Sequence, residues 1–228
     1  MMQSRIGNGI RAEIYETLLL YAVFFLPRYL QTGSSAQLPM FESVYQNVMM
    51  LSFMIPQLLL LIFLISRKGM LHIYGFRPFK RSDVLWSLSI FIYLWAIVAL
   101  LMILLQFLPL SESTPLFAPD WQVPNVMVYP LLLIVSLATG YLEEGFFRCY
   151  LYRQARRVGA AYLPSVIAIS MLFGTGHMYE GIHGVIITTA MGILLQIFYT
   201  KRVRSIHPIA IGHGLYNFSV FILAILGK

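Results

Sequence analysis

Of the 228 residues, 59% are hydrophobic and only 11% are charged. A soluble globular domain carries about 25% charged residues, so this composition excludes one, and with it a nucleic-acid-binding domain and a disordered tail. The net charge of +7 is gathered in short basic clusters between long apolar blocks, as in the loops of a membrane protein. A single cysteine, Cys149, excludes an internal disulfide and a disulfide-built secreted scaffold.

The expected fold is all-α: a polytopic transmembrane helical bundle of about seven spans, forming one membrane domain over 1–228. A helix needs about 20 mainly apolar residues to cross roughly 30 Å of hydrocarbon. Seven segments meet or approach that, in the order Glu13–Leu30, Val44–Ser66, Val84–Leu108, Val126–Tyr152, Tyr162–His177, Gly181–Thr200 and His207–Leu226. The first follows Arg5 and Arg11 like a signal peptide. It has no small-residue cleavage site and closes at Pro27-Arg28, so it reads as a retained anchor.

Basic residues set the expected orientation. Arg5 and Arg11, then Arg67, Lys68, Arg77, Lys80 and Arg81, then Arg153, Arg156 and Arg157, then Lys201, Arg202 and Arg204 all fall on one side if every segment spans. They are thirteen of the sixteen Lys and Arg residues, and the positive-inside rule makes their side, and the N-terminus, cytoplasmic. The loop Pro109–Asn125 on the other side holds Glu112 and Asp120 and no basic residue. The loop Lys68–Asp83 reads as a connector whose aromatics sit at the interface and whose cations meet anionic lipid.

Two adjacent carboxylates, Glu143 and Glu144, lie inside the fourth span. A charge at the bilayer centre costs about 2.5–3.5 kcal/mol even on the lenient insertion scale, so such residues face the bundle interior and are functional candidates. Arg148, four residues beyond Glu144, shares its helix face and can pair with it. Glu143 points about 100° away and is left for a proton or a substrate. His177 follows Phe173 by four residues at the end of the fifth span, and His213 precedes Asn217 by four in the seventh. Counted from the cytoplasmic edges at Arg157, Tyr162 and Arg204, Glu143, His177 and Asn217 all lie about 20–22 Å along their helices. Three helices therefore bring polar groups to one depth. His183 and His207 read as packing residues, and Cys149 as structural.

A carboxylate beside an imidazole, with a His/Asn pair opposite, suits activation of water on a carbonyl. Glu143 would take the proton, with His177 orienting the water. His213 and Asn217 would donate to the developing oxyanion.

The motifs Glu-Glu-x-x-x-Arg (Glu143, Glu144, Arg148), Phe-x-x-x-His (Phe173, His177) and His-x-x-x-Asn (His213, Asn217), in that order over about Val126–Phe218, resemble the CAAX protease and bacteriocin-processing family. This is the Abi family, which contains the Ras-converting prenyl endopeptidases. The resemblance implies a glutamate-dependent intramembrane endopeptidase that needs no metal or other cofactor. In it Glu143 and His177 handle the water, His213 and Asn217 the oxyanion, and Glu144 and Arg148 position the site or the substrate. The implied partners are membrane lipid and a peptide or protein cleaved near the membrane, such as a bacteriocin leader, a peptide pheromone or a membrane-anchored sorting tail. The compact length suits a prokaryotic plasma membrane. Three alternatives stay open at this point: a zinc protease with Glu143, His177 and His213 as ligands, a non-catalytic peptide-binding or immunity protein of the same fold, and a proton-coupled transporter.

Overall fold

The computed structural model of the chain describes residues 2–29, 43–67, 71–107 and 125–226. All regular structure among them is helical. In chain order the helices are α1 (Met2–Tyr29), α2 (Val44–Arg67), α3 (Arg81–Leu105), α4 (Val128–Glu144), α5 (Tyr152–Arg157), α6 (Tyr162–Thr175), α7 (Gly181–Ile197) and α8 (Ile206–Leu226). A π-helical segment, Gly145–Leu151, joins α4 to α5 without a break, and a second, Phe198–Val203, extends α7. A 3-10 turn, Met178–Glu180, links α6 to α7.

Local chemistry explains where these helices begin. Pro130, Pro164 and Pro208 are each the third residue of α4, α6 and α8. There the missing N–H costs nothing, because first-turn donors have no intrahelical acceptor. Ser43 and Gln46 form a reciprocal capping box ahead of α2, at 3.1 and 3.2 Å. At the start of α3 the Asp83 carboxylate accepts the Lys80 N–H at 2.8 Å and the Arg77 guanidinium at 2.6 and 3.1 Å. The turn into α7 passes through Gly181 at φ 74°, ψ −175°, a conformation essentially restricted to glycine.

Among the described residues, five helical stretches are long and apolar enough to cross a bilayer: Val44–Arg67, Arg81–Leu105, Val128–Arg157, Met178–Val203 and Ile206–Leu226. Five of the seven expected spans have counterparts among these stretches of the described residues. The first segment forms the helix α1, which carries Glu13 and Glu16 and is not among the five. Helix α6 is apolar but has only 14 residues, a rise of about 21 Å. The basic residues Arg67, Arg81, Arg157, Lys201 and Arg204 stand at helix ends that meet at one end of the bundle. There Tyr162 Oη lies 3.1 Å from Thr200 Oγ1, Lys201 Nζ sits 4.5 Å over the Tyr162 ring, and Arg157 pairs with Glu13 at 3.0 Å. The loop Pro109–Asn125 expected at the other end lies, apart from Asn125, outside the described residues.

Helix α8 packs between α3 and α4, and α6 pairs with α7. Glycines allow these crossings. A Cβ on Gly214 would stand 2.8 Å from Leu137 Cα of α4, and one on Gly212 2.8 Å from the Ser87 carbonyl of α3. A Cβ on Gly140 would strike the carbonyl oxygen of Ala210. That atom is backbone and cannot swing aside. Gly140→Val is therefore expected to lower stability in detergent by about 1–3 kcal/mol, read from the thermal unfolding midpoint. Ser89→Ala, on the exposed face of α3, is expected to stay within about 0.5 kcal/mol.

Candidate active site

Glu143 and Glu144 close α4, and the next seven residues form the π segment. All eight residues from Glu143 to Tyr150 are buried. A π turn changes the register of the side chains that follow and is frequent at functional sites. Here it carries Arg148, whose side chain is completely buried together with that of Glu144.

Glu144 is held from two directions. Arg148 Nε approaches its Oε2 at 3.1 Å, and His213 Nδ1 lies 2.9 Å from its Oε1. The carboxylate oxygen accepts, so the proton on Nδ1 belongs to that bond and His213 turns Nε2 towards Glu143, 3.8 Å from Oε2. That distance suits an electrostatic contact and is too long for a hydrogen bond. The Glu144–Arg148 pair expected from their spacing is thus present. The bond from His213 to Glu144 is a partner the sequence reading did not assign.

The Arg148–Glu144 contact is close, yet its angle is not that of a hydrogen bond, and among the described residues none of the three guanidinium nitrogens has a hydrogen-bond acceptor. What supports the cation instead is aromatic. Its Cζ sits 4.5 Å from the centre of the Phe173 ring and 5.7 Å from that of Phe147. Phe173 also packs edge-on against His177, at 5.1 Å, and His213, at 6.0 Å. One buried ring of α6 therefore joins the cation of the π segment to both histidines. His177 is the residue after the last turn of α6. Its Nδ1 lies 3.1 Å from the Phe173 carbonyl oxygen, a bond in which Nδ1–H donates and Nε2 is left to face outwards.

Contacts thus link Glu143, Glu144, Arg148, Phe173, His177 and His213. Asn217 lies one turn along α8 from His213 and is partly exposed. His207, read as a packing residue, has both ring nitrogens bonded: Nε2–H donates to the Arg77 carbonyl at 2.7 Å, and Tyr141 O–H donates to Nδ1 at 2.9 Å. Cys149 is buried, as expected of a structural thiol. Phe173 belongs to the Phe-x-x-x-His motif, but its place between Arg148 and both imidazoles depends on how α6 packs against the π segment, and residue spacing carries no such signal.

Among the described residues, no three His, Cys, Asp or Glu side chains converge as ligands for one metal ion.

Removing one partner of a buried ion pair strands the other charge, at a cost of about 3–5 kcal/mol. Arg148→Met is expected to destabilise the protein by about that much. Adding Glu144→Gln in the same chain should recover part of the loss, and a double-mutant cycle on unfolding free energies reads the coupling.

None of the curated proteins and none of the solved structures matches the chain. Residues 125–219, a stretch that contains all seven candidate residues, match the family described as Rce1-like, type II CAAX prenyl endopeptidase, in agreement with the family that the three motifs resemble.

Proposed function

We propose that this integral membrane protein is a glutamate-dependent intramembrane endopeptidase, and that Glu143 is the base that activates water. The observation that carries this reading is the buried Glu143–Glu144–Arg148–His213 cluster, in which Glu144 fixes the imidazole and the imidazole faces the Glu143 carboxylate at 3.8 Å. A second carboxylate, a cation and an imidazole held together inside a membrane are costly unless used.

In the proposed reaction Glu143 removes a proton from water, which His177 helps to orient, and the water oxygen attacks the peptide carbonyl carbon. The carbonyl oxygen becomes an oxyanion held by His213 and Asn217. Collapse of this intermediate breaks the C–N bond, and Glu143 returns its proton to the departing amine nitrogen. Because Nδ1–H of His213 is given to Glu144, Nε2 can donate to the oxyanion only as imidazolium. That form also balances the charges: two carboxylates against Arg148 and His213. In a water-poor site such donors contribute several kcal/mol to the transition state.

The implied substrate is a peptide or protein with its scissile bond at the membrane, and the implied location is a prokaryotic plasma membrane. Glu143→Gln keeps the size of the side chain and removes the base. It is expected to lower cleavage of membrane-associated peptides by about 10²–10⁴-fold in reconstituted vesicles while leaving thermal unfolding almost unchanged, and chelators should leave wild-type cleavage intact. A Glu143→Gln chain that cleaves like wild type would overturn the assignment. A cellular function that survives Glu143→Gln but not deletion would favour a non-catalytic peptide binder.

A further inference from the structure

Between α2 and α3 His72, Pro78, Phe79 and Lys80 are exposed, as in a surface connector, but Tyr74 and Gly75 are buried. There the chain turns back into the bundle. Tyr74 is fully buried and stacks on Tyr150 of the π segment, ring centres 6.2 Å apart. Gly75, at φ 87°, lies so close to the Tyr199 ring that a Cβ would meet it at 2.9 Å, and its carbonyl accepts the Ile206 N–H at 3.0 Å. Phe76 reaches within 3.7 Å of where a Cβ on Gly145 would be, and Gly145 directly follows the carboxylate pair.

The remainder of the loop is pinned as firmly. His207 of α8 bridges the Arg77 carbonyl and the Tyr141 hydroxyl of α4, Phe79 packs edge-on against the His207 ring at 5.7 Å, and Arg77 is clamped to Asp83. Tyr74 and Phe76 thus lie among α4, the π segment and the start of α8, on the side of the carboxylates that faces the basic end.

On α6 and α8 burial falls away from the basic end, whereas on α4 Leu132, Val135, Ser136 and Gly140 stay buried. Towards the basic end the residues next to the cluster are buried: Gly145–Tyr150 after α4, Ile209 and Ala210 on α8, Ile169 and Ser170 on α6. Away from it, the polar residues at the same level are partly exposed: Thr175 and His177 after α6, Glu180 before α7, Tyr216 and Asn217 on α8. Met178, beside His177, is 56% exposed. Partly exposed polar residues thus stand on one side of the cluster, and the aromatic loop packs on the other.

We propose that residues 71–80 seal the active-site cluster from the basic end of the bundle, and that the peptide bond and its water reach Glu143 from the opposite end, between His177 and Asn217. This rests on the proteolytic reading of the site and narrows its substrates to segments presented at the face away from the basic loops. If those loops are cytoplasmic, as their charge predicts, the substrates are extracytoplasmic or lie in the outer half of the bilayer.

Thiol accessibility tests this without any cleavage, so an inactive protein would not obscure the answer. The full chain is reconstituted in sealed vesicles, with native Cys149 buried and silent. Met178→Cys marks the far end and Arg204→Cys the basic end, and a membrane-impermeant charged thiol reagent is added to one side at a time. Asn217→Cys is expected to react from the Met178 side and to be spared from the Arg204 side, and Glu180→Cys should behave in the same way. Adding His207→Ala, which frees the plug at Arg77 and Tyr141, should admit reagent from the Arg204 side. Reaction of Asn217→Cys from the Arg204 side in the otherwise native chain would overturn the proposal. So would a failure of both Asn217→Cys and Glu180→Cys to react from either side. In intact cells, reaction of Met178→Cys with the same reagent would put the mouth on the outer surface.

Discussion

Two neighbouring carboxylates withdrawn from water impose the main constraint on this bundle. Each buried ion loses several kcal/mol of hydration even after the protein relaxes. Glu144 recovers that loss through Arg148 on its own chain segment and His213 on α8. Arg148 then depends on the faces of Phe173 and Phe147, and Phe173 supports His177. The requirement to neutralise one carboxylate thus fixes the relative placement of three helices. The same placement leaves the Glu143 carboxylate facing an imidazole whose other nitrogen is already committed.

That arrangement depends on how closely backbones approach. Helix association in lipid has no hydrophobic drive and relies on tight packing between small residues. Gly140 and Ala210 meet where α4 crosses α8, Gly214 sits against α4 and Gly212 against α3. His213 lies between two of these glycines, so it is the large side chain at a level where its neighbours are bare backbone. An imidazole is short. It reaches Glu144 at 2.9 Å because α8 has no side chains holding it away from α4.

The sequence was most legible where the chemistry is local. Glu144 and Arg148 are four residues apart on one helical path, as are Phe173 and His177, and both relations persist in the structure. The apolar blocks located the helices, and the proline and glycine positions explain their limits. The bond from His213 to Glu144 was not legible, because it depends on the rotation of α8 about its axis, which the glycine crossings set. Nor was the π segment, since a change in helical register has no compositional signature. The aromatics of residues 71–80 read as interface anchors, yet Tyr74 and Phe76 point inwards. Aromatic composition is the same for a residue at the interface and for one that fills a cavity. Apolar composition alone also did not separate α6, with only 14 residues, from the five stretches long enough to cross a bilayer.

The brevity of α6 has a consequence for the surrounding lipid. Its first turn is fixed at the basic edge through Tyr162, Thr200 and Lys201, and its 14 residues rise about 21 Å. A typical hydrocarbon layer is about 30 Å thick, so an α6 that starts at the membrane edge would leave His177 roughly 9 Å short of the far surface. Acyl chains packed beside this hairpin must shorten or leave a polar turn facing hydrocarbon, and bilayers yield to such mismatch at fractions of a kcal/mol per Å. A local dimple then brings headgroups and bulk water down towards the histidine. On the proteolytic reading proposed above, the thickness of the membrane would be part of the solvent supply.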